Sequence, residues 1–165
     1  MDRQIMSDNN NLLRDADTTY MTFRILLIIL IFFTACHKIE TGDSLSKTDI
    51  NRIQSLHLLD SNEKIYKFYS EYKTTVAGNF FTNKRMARYW IDERDNLKNE
   101  ISSAFYSDLQ SIDTVYYAGL TYCPYMRVTK KDGRQFKVCV EGKRKEIKSF
   151  FEDALNLWTK KRNVK

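Results

Sequence analysis

Phe80-Phe81-Thr82-Asn83-Lys84-Arg85-Met86-Ala87-Arg88-Tyr89-Trp90 is the stretch from which the fold can be read. Aromatic and apolar residues suited to extended chain stand on both sides of Asn83-Lys84, a pair with turn chemistry. A second strand begins at Phe80-Phe81-Thr82, and the return strand covers residues 85–92. Side chains alternate along an extended chain. Met86, Arg88 and Trp90 therefore point to one side, and Ala87, Tyr89 and Ile91 to the other. The unit is an antiparallel hairpin.

The period of two continues outward from this hairpin. Ile65, Phe68 and Tyr69 mark a strand over residues 63–73. Residues 93–99 form a charged loop, 101–105 a strand, 107–110 a turn, and 112–118 a β-branched and aromatic strand. The last hairpin has a readable register. Asp132-Gly133 marks its turn, between strands over 122–129 and 134–140. A two-residue loop would set Val128 against Lys137 and Met126 against Cys139. A three-residue loop, with Gly133 left-handed, pairs Val128 with Phe136 and Met126 with Val138. The second register keeps one face apolar and is the predicted one.

Helical patterns flank the strands. Ser46 or Thr48 can cap a short helix whose stripe is Ile50, Ile53, Leu56 and Leu59, with Asp60-Ser61-Asn62 ending it. A second helix, about 145–162, gathers Ile147, Phe150, Phe151, Ala154, Leu155 and Trp158 on one broad face. Lys160, Lys161 and Arg162 end it, where positive charge suits the helix dipole. The expected class is α+β: a small antiparallel barrel or roll of six to seven strands, preceded by a short helix and closed by an amphipathic one.

This order resembles the bacterial pleckstrin-homology-like domains. Phe80-Phe81-Thr82-Asn83-Lys84-Arg85 is similar to their strand-turn-strand, in which an apolar pair precedes Thr, a polar turn residue and Arg. Tyr106-Ser107-Asp108-Leu109-Gln110-Ser111-Ile112 resembles their step into the next strand. The likeness covers about residues 63–158, and the helix before the first strand is outside the minimal pattern. It implies a fold that hosts lipid binding, peptide binding and scaffolding alike. No phosphoinositide-binding signature carries over.

The chain's address is written nearer its start. Arg24 precedes nine apolar residues, 25–33, and Thr34-Ala35-Cys36 follows. Nine is too short to span a bilayer, which takes about 20 apolar residues, but it fits the apolar region of a signal peptide. Phe33-Thr34-Ala35-Cys36 resembles the lipobox of bacterial lipoproteins, with Phe33 where Leu is usual. That likeness implies cleavage before Cys36 and acylation of Cys36 with chains such as palmitate, enough together for stable anchoring. Cleavage without lipid is the nearer rival. Asp2, Asp8, Asp15 and Asp17 are wrong for the start of a signal, and Met21 is the better initiator. His37 stands where an Asp favours inner-membrane retention in enterobacteria, which leans toward the outer membrane. The expected organisation is 1–35 extension and signal, 36–47 lipidated cysteine and tether, and 48–165 a single domain.

The whole chain carries a formal charge of +6; residues 1–35 hold three basic and four acidic groups, so the remainder is basic. Such a balance suits anionic lipid head groups or other envelope polyanions. Lys84, Arg85, Arg88, Lys130, Lys131 and Arg134 are the candidate basic surface. As turn residues they read first as scattered solubilising charge. Export argues against nucleic acid as a partner.

No catalytic constellation stands out. Asp92, Glu93 and Asp95 crowd one loop, whereas catalytic carboxylates normally face each other from separate elements. His37 and His57 are the only histidines and have no ligand spacing around them, so no metal is expected. No glycine-rich phosphate loop or nucleophile elbow occurs, and no cofactor is implied. Cys123 and Cys139 fall as diagonal neighbours, about 7–8 Å apart, beyond usual disulfide reach. They read as two partly buried thiols, with a disulfide the alternative that export permits. The expected function is a lipid-anchored envelope binding module; the alternative is a small envelope enzyme or enzyme inhibitor acting on cell-wall material.

Overall fold

The computed structural model describes residues 39–119 and 122–162. The lipobox residues Phe33, Thr34, Ala35 and Cys36 lie outside them. Helix α1 (Lys47–Ser55) precedes strands β1 (Ile65–Tyr69), β2 (Ala77–Thr82), β3 (Arg85–Trp90), β4 (Glu100–Phe105), β5 (Leu109–Val115), β6 (Tyr125–Lys130) and β7 (Gln135–Cys139), and helix α2 (Arg144–Arg162) closes the chain. All strand pairs are antiparallel. They form two sheets, β1-β2-β3-β4 and β5-β6-β7, rather than a closed barrel. The 3-10 turn Tyr106–Asp108 makes the corner between them.

The four-stranded sheet is buried on both faces at its centre. Phe80 pairs with Phe68 and Ala87, so these three share a face. That face packs with Tyr89, Ile91, Ile53, Leu58 and Leu59. Phe81 pairs with Met86, and Met86 with Ala104. This opposite face packs with Met126, Val128, Val138, Phe150 and Phe151. The Phe81 and Phe150 rings meet edge to face at 5.0 Å. All six residues of β2 are buried in consequence. Each fully buried large side chain contributes about 1.5–3 kcal/mol.

The short helix earns its place by covering the first of these faces. Ser46 caps it with a complete capping box to Asp49. It stops at Ser55, earlier than its apolar stripe suggests. His57 takes a left-handed conformation (φ 57°). Its N–H donates to the Gln54 carbonyl, and that of Leu58 to the Ile53 carbonyl. This is a Schellman stop, and it folds Leu58 and Leu59 back under the sheet.

The final hairpin has the expected register: Val128 pairs with Phe136, and Met126 with Val138. Its loop is Lys131-Asp132-Gly133, with Gly133 at φ 83°. The β-strand bounds are tighter than the sequence suggests at β1 and β7, and β6 both starts and ends later than expected. In contrast, β5 starts three residues earlier than expected, at Leu109.

The stretch expected as a tether is part of the fold from Ile39 onward. Glu40 exchanges two backbone hydrogen bonds with Phe68, of 2.8 and 2.9 Å. Gly42 approaches Ile65 so closely that a Cβ there would lie 2.3 Å from the Ile65 carbonyl oxygen. Ile39 packs against one core and Leu45 against the other. Polar composition with little apolar period hid this docking, which backbone bonds and two single apolar contacts supply.

Candidate functional site

The motif that reveals the fold builds a buried polar network, not a binding surface. Arg85 is only 4% exposed. Its guanidinium donates from Nε to Glu63 Oε1 at 3.0 Å and from Nη2 to Glu63 Oε2 at 2.7 Å. Nη2 also reaches Asp60 at 2.9 Å, and Nη1 the His57 carbonyl at 3.3 Å. The Phe105 ring covers the guanidinium at 4.3 Å. The Thr82 hydroxyl donates to Glu63 and accepts from the N–H groups of Lys84 and Arg85 at 2.9 Å each. The Arg85 guanidinium holds the Asp60 carboxyl below its ordinary range. Tyr106 locks the β4–β5 corner to this turn by donating its hydroxyl to the Thr82 carbonyl. Burial pushes that phenol well above its usual value.

The candidate basic surface therefore divides. Arg85 leaves it, because its charge is satisfied inside. Lys84 bonds Asn62 at 2.6 Å and approaches Asp60 at 3.4 Å. Arg88 pairs with Glu100 at 2.5 Å. Lys130, Lys131 and Arg134 stay together around the β6–β7 turn, and they line a cleft of about 320 Å³ with Ser103, Phe105 and Asp108. Arg134 is paired with Asp132 at 2.6 Å, which lowers the Asp132 pKa and raises that of Arg134.

Lys131 also borders a second, larger cleft of about 510 Å³, where it faces Lys161 and Arg162 across Tyr106, Ser107 and Gln110. Its backbone N–H is fixed to the Asp108 carbonyl at 2.9 Å. One lysine thus stands between two hollows, the first of mixed charge with Asp108 and Asp132 beside its cations and the second cationic, on a corner held by three elements. The hollows can bind anionic groups through ammonium, guanidinium and the Ser107 hydroxyl. In the sequence Lys160, Lys161 and Arg162 stand at the end of a helix, and nothing there joins them to Lys131. The signal needed was the corner at Tyr106–Asp108, which turns β5 toward the end of α2.

The remaining candidates resolve individually. Cys123 and Cys139 form a disulfide, with Cα atoms 5.8 Å apart. The expected 7–8 Å assumed that a regular strand extends to Cys123. In fact β6 starts at Tyr125, and Cys123 lies outside the regular strand. The Cys139 N–H donates to Asn79 Oδ1 at 3.0 Å, a bridge between the two sheets. Asn79 in turn donates to Glu71 at 2.6 Å, and burial raises the Glu71 pKa. Asp92 ties its own loop by accepting from the Arg94 and Asp95 N–H groups, which lower its pKa. It is a turn residue facing water. Among the described residues no cluster of His, Cys, Asp or Glu suits a metal ion, and no helix is long and apolar enough to cross a membrane.

Two antiparallel sheets of four and three strands, closed by a C-terminal helix and backed by a short one, define a small α+β domain with a basic corner. A solved structure, that of a DUF1696 family protein with a pleckstrin-homology domain from Shewanella loihica PV-4, is similar to it. The match covers 76% of this chain and 98% of that one, at 12% sequence identity and a TM-score of 0.46. No protein-family model matches the chain, and no curated protein matches it.

Proposed function

We propose that this chain is a lipid-anchored lipoprotein of the cell envelope whose pleckstrin-homology-like domain is a binding module for an anionic partner. The anchor is Cys36, within Phe33-Thr34-Ala35-Cys36, and the outer membrane is the favoured destination. The observation that carries the address is the Cys123–Cys139 disulfide. Structural disulfides belong to oxidising compartments and are rare in the cytosol, so this bond supports the signal read at residues 24–36. The strand order, four then three with a closing helix, supports the pleckstrin-homology-like reading. The hollows on either side of Lys131 supply the binding chemistry, through Lys130, Arg134, Lys161 and Arg162.

Growth with labelled palmitate, followed by membrane fractionation, tests this reading. The expected result is label on the wild-type protein in the membrane fraction, and neither label nor membrane retention in Cys36→Ser. Equal retention of the unlabelled variant would overturn it.

A further inference from the structure

We infer that the domain rests on its own membrane through the face where the chain reaches β1 and α2, and that the Lys131 hollows are held at the far end. This inference rests on the proposed acylation of Cys36. If Cys36 is acylated, only His37 and Lys38 separate it from Ile39, where the fold begins. Three Cα steps span about 11 Å at most. Lengthening the leash by peeling would break both backbone bonds between Glu40 and Phe68 and lift Gly42 off Ile65. Ile39 is therefore held within about one head-group layer of the bilayer.

The surface around Ile39 is a hollow of about 290 Å³ formed by Thr41, Lys67, Lys145 and Ser149, with Glu40 and Glu146 on its border. Lys67 donates to Ser149 at 2.8 Å and pairs with Asp153 at 2.6 Å. Charges of both signs alternate here, which suits a layer of phosphates and ammonium groups. The occupant is the phospholipid head-group layer that holds the acyl chains. The hollows at Lys131 differ in composition and position. Lys145 and Lys161 lie on one helix, 16 residues apart, which is about 24 Å at 1.5 Å per residue. Anchored at the first end, the domain directs the second toward a partner beyond the anchoring leaflet.

The acylated protein is reconstituted into phosphatidylethanolamine–phosphatidylglycerol vesicles containing a nitroxide-head-group lipid. One fluorophore is attached through Ser149→Cys and, in a separate sample, one through Gln110→Cys; both positions are exposed, and the native cysteines are blocked by lipid or disulfide. Severalfold stronger quenching at 149 than at 110 is expected. Because Ser149 accepts a bond from Lys67, Lys145→Cys provides a second reporter on the same face, with the same expectation. Equal quenching, or stronger quenching at 110, on a chain shown by mass to be acylated overturns the orientation alone. A chain that carries no acyl group overturns the proposed function and the orientation together.

Discussion

Arg85 shows how one residue can be recognised correctly and assigned wrongly. Its place in Phe80-Phe81-Thr82-Asn83-Lys84-Arg85 is legible, and so is the hairpin around it. Its burial is not, since Glu63 stands 22 positions earlier and nothing local links the two. Removing one partner of a buried ion pair leaves an unpaired charge, at a cost of about 3–5 kcal/mol. Arg85→Ala is expected to lose about that much in denaturant unfolding, while Arg85→Met with Glu63→Leu recovers most of it. A loss below about 1 kcal/mol in the single variant would mean that the pair is not fixed as described. Glu71 makes the opposite case. Burial raises its folded-state pKa above the unfolded value, against the pull of Arg88. The folded protein holds that proton more tightly, so this contribution to stability is complete below the unfolded carboxyl pKa, about 4.3, and is lost as pH rises through the raised value. Glu71→Gln keeps an acceptor for Asn79. It is expected to raise the melting temperature near pH 7 and to leave it unchanged near pH 3.

At the scale of elements, periodicity worked where one face is apolar and failed where tertiary contacts set the limits. The register of β6 and β7 followed from Met126, Val128, Phe136 and Val138 alone, because a one-residue slip would turn Phe136 and Val138 away from Met126 and Val128. The end of α1 did not follow, since His57 adopts a left-handed stop that sequence assigns more readily to Gly or Asn. The disulfide is hidden by strand geometry: the diagonal spacing holds only if β6 is regular as far as Cys123, and β6 begins at Tyr125. A bridge across a separation of 16 residues is worth about 3 kcal/mol in the chain-entropy account. Reduction, or Cys123→Ser, is expected to destabilise the domain by about that amount in urea unfolding. Identical unfolding curves with and without reductant would remove the bond from the description.

Across the whole molecule, the sequence yielded the class and strand count but not the layering. Two separate sheets arise because the corner at Tyr106–Asp108 sends β5 away from β4, and a row of apolar residues does not reveal such a corner. The additional α1 layer also explains why every residue of β2 is buried, the polar Asn79 and Thr82 included: both of its faces are covered. The cationic corner at Lys131 was only half legible, since it joins a turn to a helix end 30 residues further on. Residues 39–46 dock on the sheet through Glu40 and Gly42, so the domain is larger at its N-terminal side than the sequence suggests.

The proposed function requires a disulfide-bonded domain to be exported and held by an acylated Cys36. An intact mass of the membrane-extracted protein, alkylated without reduction, tests address, anchor and bridge in one spectrum. The expected mass is that of a chain beginning at Cys36 and carrying acyl groups, with Cys123 and Cys139 unalkylated. A chain retaining residues 1–35, without acyl groups and with alkylated cysteines, would contradict it.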